Sequence, residues 1–228
     1  MRDLLLRQAA TGSLLLFFNL GSLPGLYRLA ATGVPNLDTP HSAYVIAQLL
    51  CGIMLCGWPL AQLGSLLDTL PVPVAIKLRR DTELLTLSTF GSRRQPVAAG
   101  AVAFGLSVWT SLTEEVAFRG CLLPVLAQRF DSLPAGVAAS SILFGIAHWS
   151  LGDFSLEGIS LLGLQTFYGL CFALTYLLFD GQGVGTLADG QVVETTLTGL
   201  VAAIGAHALY DFKACVHLRC ISWRGGEC

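Results

Sequence analysis

The sequence predicts an all-α fold, a polytopic transmembrane helical bundle of about six spans, and three observations predict it. Of 228 residues, 54% are hydrophobic and 12% are charged, against roughly 25% charged in an average soluble domain. Residues 44–67 and 158–179 are apolar stretches of the ~20-residue length that a helix rising ~1.5 Å per residue needs to cross a ~30 Å hydrocarbon layer. Lys and Arg gather in alternate connections, the asymmetry that marks cytoplasmic loops.

Six hydrophobic segments follow in order, over 9–31, 44–67, 96–130, 135–149, 158–179 and 195–212. The first, with Arg2, Arg7 and the apolar run 14–18, imitates a signal peptide, but Asp3 and the lack of a small-residue cleavage site point to a retained span. The connection 68–95 carries Lys77, Arg79, Arg80, Arg93 and Arg94 and is read as a basic cytoplasmic loop. Segment 96–130 would be ~50 Å long as one helix, so it is expected to tilt steeply or to break near Thr110 to Thr113. Two parts result: 1–95, two spans and the basic loop, and 96–228, a helical core and tail. The loops 32–43 and 180–194 carry Asp38, Asp180, Asp189 and Glu194 but no Lys or Arg. They belong on the opposite face, which leaves both termini cytoplasmic. The glycine-rich run 181–185 lacks a preceding strand and is read as a loop, not a phosphate cradle.

Seven cysteines, at 51, 56, 121, 171, 215, 220 and 228, form no CxxC pair and imply no disulfide framework. Those at 51, 56, 121 and 171 act as small hydrophobes within helices, whereas Cys215 and Cys220 are candidates for acylation near a membrane face. The C-terminal Gly-Glu-Cys is not a prenylation signal. A net charge of −2 gives no reason to expect a nucleic-acid partner.

The chemistry lies in ionisable residues within or beside the apolar segments, because a charged group there costs about 2.5 to 3.5 kcal/mol and needs a partner or a function. Glu115 and Arg119 stand at i and i+4, where an ion pair forms on one helical face. Glu114 lies ~100° away around the helix and is the freer carboxylate. A carboxylate of this kind suits general acid or base catalysis; the competing reading is a structural tether between helices. His148 ends the run Phe144-Gly145-Ile146-Ala147-His148, and His207 precedes Asp211 by one turn. Both histidines are expected near the cytoplasmic ends of their helices, where they can converge. His41 and His217 read as interfacial residues.

Three short motifs in this order are similar to those of the CAAX protease and bacteriocin-processing family of intramembrane peptidases, which includes the eukaryotic CAAX-prenyl endopeptidase. The Glu-Glu-x-x-x-Arg motif is matched by Glu114, Glu115 and Arg119, with a family-like Gly120. The Phe-x-x-x-His motif is matched by Phe144 and His148, and His-x-x-x-Asn/Asp by His207 and Asp211. The likeness covers roughly residues 100–211. It implies that Glu114 and His148 activate water for attack on a peptide carbonyl while His207 and residue 211 stabilise the oxyanion, with Glu115, Arg119 and Phe144 in support. Hydrolysis needs a base for water, a donor for the developing charge and a proton for the leaving amine, and one Glu with two His supplies these. Residue 211 is often Asn in the family; an ionised aspartate only accepts hydrogen bonds. Asp211 is therefore expected either to accept from His207, fixing its tautomer, or to be protonated.

No cofactor is expected from this likeness. The alternative is zinc held by Glu114, His148 and His207, a two-histidine, one-carboxylate set, although no His-Glu-x-x-His helix is present. A non-enzymatic membrane adaptor or chaperone that keeps the fold is a second alternative, and a proton-coupled transporter a third. The expected partners are a hydrophobic or lipidated peptide or protein substrate and membrane lipid.

Overall fold

The computed structural model describes residues 39–67, 69–90, 96–149, 153–179 and 197–224. The expected span over 9–31, the loop 180–194 and most of the loop 32–43 lie outside the described residues. What is described is helical, with short turns between helices.

Helix α1 (Thr39–Gly52) passes through a π-helical segment, Ile53–Gly57, into α2 (Trp58–Leu67). A second such segment, Val116–Leu122, joins α4 (Pro96–Glu115) to α5 (Leu123–Phe130). Each is followed two residues on by a proline, Pro59 and Pro124. Proline has no N–H, and its ring crowds the carbonyl four residues earlier. Widening the preceding turn relieves that conflict without breaking the helix, as a π-bulge does elsewhere. Segment 96–130 is thus continuous, and the break expected near Thr110 to Thr113 is absent. Thr113 Oγ1 instead donates to the Thr110 carbonyl at 2.9 Å, inside the helix.

The connection read as a loop is also corrected. Residues 73–90 form α3 (Pro73–Phe90), which starts on a proline, the residue preadapted to a first helical position. It is too polar to read as a span. Packing against later helices supports it: Ala75 is fully buried, and Lys77 pairs with Asp81 at 3.6 Å and with Asp153 at 2.9 Å.

Helix α5 ends at Asp131, whose left-handed backbone (φ 50°) lets its N–H reach the carbonyls of Ala127 and Gln128. Ser132 then caps α6 (Leu133–His148) by accepting from Ala135 N, with Pro134 in the first turn. This short reversal lays α6 antiparallel along α5. Helix α7 (Leu156–Leu178), capped by Ser155, returns beside α6. Gly145 makes that approach possible, since a Cβ there would collide with Thr166 Oγ1 and lie 2.9 Å from the Leu162 carbonyl.

Helix α8 (Leu197–Arg224) is the central post, packing on α1, α2, α3, α4 and α7. Its crossing with the α1–α2 helix is backbone to backbone: a Cβ on Gly57 would lie 2.8 Å from Ala206 Cα. Small residues at such a seam let membrane helices approach closely. Three described helices are long and apolar enough to cross a membrane, Ile46–Leu67, Leu156–Leu178 and Gly199–Val216, and Leu133–His148 is a shorter apolar helix. Large apolar side chains point outward, among them Leu55, Trp109 and Leu178 at 70%, 64% and 79% exposure. Charge lies inside, with Glu115 and Arg119 fully buried. This inversion of the soluble pattern is that of an integral membrane protein.

Candidate active site

The glutamates close α4, and the π-helical segment after them carries Arg119. Arg119 Nη1 donates to Glu115 Oε1 at 3.0 Å, and Nη2 donates to the Gly169 carbonyl of α7 at 2.6 Å. Its guanidinium also lies 4.7 Å from the Phe144 ring centroid. A charge with no access to water is thereby compensated by a carboxylate, a carbonyl and an aromatic face.

Glu115 Oε1 has a second partner, His207 Nδ1 at 2.8 Å. The oxygen is already paired with Arg119 and can only accept, so His207 carries its proton on Nδ1 and donates it. Phe172 stacks on the His207 ring, centroids 4.4 Å apart and planes 17° apart. His148 is held in the same way: its Nδ1 lies 2.8 Å from the Phe144 carbonyl, which can only accept. In both imidazoles Nδ1 is committed, which leaves Nε2 for chemistry.

Both Nε2 atoms turn to Glu114. Oε2 of Glu114 lies 3.5 Å from His148 Nε2 and 3.8 Å from His207 Nε2. It completes no hydrogen bond among the described residues, although it is buried. Asp211 Oδ2 stands 3.6 Å from His207 Nε2, one helical turn along α8. The edge of the cluster is open at His148 and Asp211, whose side chains are 30% and 26% exposed, and closed at Glu115, Arg119 and His207.

All the sequence-selected residues converge: Glu114, Glu115, Arg119, Phe144, His148, His207 and Asp211. Two details differ from expectation. His148 ends α6, as expected, but His207 stands in the middle of α8 (Leu197–Arg224) and not near its end. Helix α6 runs back ~23 Å from the α5 reversal at the standard rise, which brings its last residue level with Glu114 in the middle of the long helix. The acceptor that fixes the His207 tautomer is Glu115, not Asp211, at 2.8 Å against 3.6 Å.

The sequence reading also missed Gly169 and Phe172. Neither carries a polar signal, and both come from a helix with no motif of its own. Among the described residues no group of three or more His, Cys, Asp or Glu side chains is arranged to hold a metal ion. The three candidate zinc ligands do converge, on Glu114 Oε2 and the two Nε2 atoms, without forming such a group.

The family model described as type II CAAX prenyl endopeptidase Rce1-like matches residues 96–213, just over half of the chain and the stretch that carries every residue of this cluster. No curated protein and no solved structure matches the chain.

Proposed function

The chain belongs to the Rce1-like family of type II CAAX prenyl endopeptidases, and from that premise we propose that it hydrolyses a peptide bond of a membrane-associated or lipidated peptide with water activated by Glu114 and His148. The observation that carries this reading is the pair of pinned imidazoles whose Nε2 atoms lie 3.5 and 3.8 Å from one carboxylate oxygen. Separations of this size exceed a good hydrogen bond and keep the carboxylate oxygen and both nitrogens within reach of one water placed beside them. With both Nδ1 atoms committed, the proton-exchanging positions are His148 Nε2, His207 Nε2 and the carboxyls of Glu114 and Asp211.

In the proposed sequence Glu114 removes a proton from water as its oxygen bonds to the scissile carbonyl carbon, with His148 holding the water in line. His207, protonated on both nitrogens beside the Glu115 carboxylate, donates from Nε2 to the carbonyl oxygen, and the proton taken by Glu114 passes to the departing amine as the C–N bond breaks. Glu115 and Arg119 hold His207 in orientation and touch no substrate. The open edge at His148 and Asp211 is where a peptide end enters. We place that edge toward the cytoplasm, together with both termini and the basic residues Lys77, Arg79, Arg80 and Lys213, by the positive-inside bias. The reading requires no metal.

The test compares membranes containing the wild type, Glu114→Gln or His148→Ala, using mass spectrometry of their peptides and of an added farnesylated peptide ending in a CAAX tetrapeptide. Products present with the wild type and lost in both variants support the endopeptidase. Cleavage that survives Glu114→Gln at the wild-type rate overturns it. Loss of cleavage on strong chelation, restored by zinc alone, replaces the metal-free mechanism with the zinc one.

A further inference from the structure

A polar atom in the same sector of α4 is left out of the mechanism above. Ser111 is fully buried, and its Oγ has no hydrogen-bond partner among the described residues. Such a hydroxyl costs about 1–3 kcal/mol in desolvation that nothing offsets. Other helical hydroxyls here avoid that cost by folding back onto their own helix: Ser65 to Ala61 O at 3.0 Å, Thr82 to Leu78 O at 2.8 Å, Ser141 to Val137 O at 2.7 Å and Thr175 to Cys171 O at 2.8 Å. Ser111 has the same opportunity at the Ser107 carbonyl and does not use it.

Its position shows what it faces. At 3.6 residues per turn, Glu114 lies ~60° to one side of Ser111 and Glu115 ~40° to the other, one turn later. Helical side chains lean toward the N-terminus, so both glutamates reach over the turn that holds Ser111. Helix α8 lies across the same seam: Glu115 touches His207, and farther back Phe104 meets Phe212 edge-to-face at 5.8 Å. The two helices are therefore antiparallel here. One turn before Glu115 on α4 is Ser111, and one turn after His207 on α8 is Asp211. They stand at the same level on facing helices.

Among the orphaned polar atoms of the cluster, which also include Glu115 Oε2 and Arg119 Nε, Ser111 Oγ and Glu114 Oε2 share one sector of α4. The one can donate and the other, ionised, accepts. Asp211 adds no donor when ionised, and Arg119 is held at Glu115 and the Gly169 carbonyl, which leaves the charged form of His207, through Nε2, and Ser111 as donors for a developing oxyanion. We propose that the Ser111 hydroxyl is that second donor, hydrogen-bonding the scissile carbonyl oxygen as its π-electron pair becomes the oxyanion lone pair. This inference rests on the endopeptidase reading. Ser111 neither attacks the substrate nor loses its proton; water forms the new bond to carbon, as above.

The test uses the full chain in detergent, the farnesylated CAAX peptide as substrate, and the same peptide with a phosphinate in place of the scissile amide as transition-state mimic. Ser111→Ala is expected to lower kcat about a hundredfold, the effect of removing one oxyanion donor, with KM changed by less than about twofold. Phosphinate affinity should fall by the same factor as kcat/KM. The thermal midpoint should stay level or rise, because the substitution removes an unsatisfied buried hydroxyl. A merely structural serine would give the opposite pattern, a lower midpoint with activity falling in proportion, and that result overturns the proposal. Wild-type kcat in Ser111→Ala, alongside an inactive Glu114→Gln, overturns it while leaving the endopeptidase reading intact. A wild type that cleaves nothing overturns both.

Discussion

His207 donates from Nδ1 to Glu115 Oε1 at 2.8 Å, across 92 residues of sequence, and the same oxygen takes the Arg119 hydrogen bond at 3.0 Å. One carboxylate oxygen thus fixes both the tautomer of an imidazole and the place of a buried cation. Glu115→Gln keeps the shape and an acceptor oxygen but removes the charge. Cleavage is expected to fall at least tenfold, since a wrongly held tautomer disables a catalytic histidine. Glu115→Ala goes further and leaves Arg119 as an unpaired buried charge, a loss of about 3–5 kcal/mol. Thermal unfolding in detergent separates the two: Gln should lose more activity than stability, and Ala should lose both.

Arg119 reaches two acceptors on different helices with one planar fork, Glu115 and the Gly169 carbonyl. Lysine keeps the charge but not that geometry. Arg119→Lys should therefore leave the Gly169 carbonyl unpaired and destabilise the protein by about 1–3 kcal/mol. A thermal midpoint equal to that of the wild type would show that the guanidinium geometry is dispensable.

Much of this site is legible in the sequence because burial of charge is so costly in an apolar chain that each ionisable residue stands out. Glu114, Glu115, Arg119, His148, His207 and Asp211 are identified on that ground and by their helical spacing. The geometry between them is another matter. The depth of His148 depends on the reversal at Asp131 and Ser132, which turns α6 back along α5 and cannot be measured along a single helix. The two widened turns are announced by Pro59 and Pro124, but a proline in a helix predicts a conflict without predicting how it is resolved. Gly169, Phe172 and Ser111 act through a backbone carbonyl, a ring face and an unused hydroxyl, which no pattern of charge or hydropathy marks. Helix α3 was hidden by its polarity, since it is supported by the buried Ala75 and by the Lys77–Asp153 pair rather than by a continuous apolar face.

That pair, at 2.9 Å, ties α3 to the turn between His148 and α7. Asp153 accepts from Ser155 Oγ at 2.6 Å and from Ser155 N at 3.2 Å. These hydrogen bonds, and then Lys77, hold its carboxyl down to about 2. A depressed carboxyl stabilises the folded form above its unfolded pKa of roughly 4 and loses that contribution as pH falls through the folded value. The tie should thus be fully present at pH 5 and above and weaken between about pH 4 and pH 2. Hydrogen exchange of α3 amides checks it: protection should fall over that window in the wild type, and Asp153→Asn should lack this acid-dependent component. Equal acid dependence in the two would sever α3 from this carboxylate.

The crossing of α8 with the α1–α2 helix offers a test of how far the site depends on its scaffold. Gly57 lies against Ala206, the residue before His207, and a Cβ there would sit 2.8 Å from the Ala206 Cα and from its carbonyl oxygen. Both contacts are backbone, so no side chain can rotate away. Gly57→Val should push α8 outward and destabilise by about 1–3 kcal/mol or more through overpacking. Because α8 carries His207 and α4 carries Glu115, that displacement also lengthens the hydrogen bond joining them. Activity should therefore fall further than the thermal midpoint alone accounts for, even at temperatures where the variant is fully folded. Gly64, on the next helix turns toward the α2 end, provides the comparison: its added Cβ would meet only the Tyr210 ring edge, at 3.3 Å. Gly64→Ala should be tolerated, with cleavage near the wild-type rate, and equal loss in the two variants would mean that close packing along this seam does not set the His207 position.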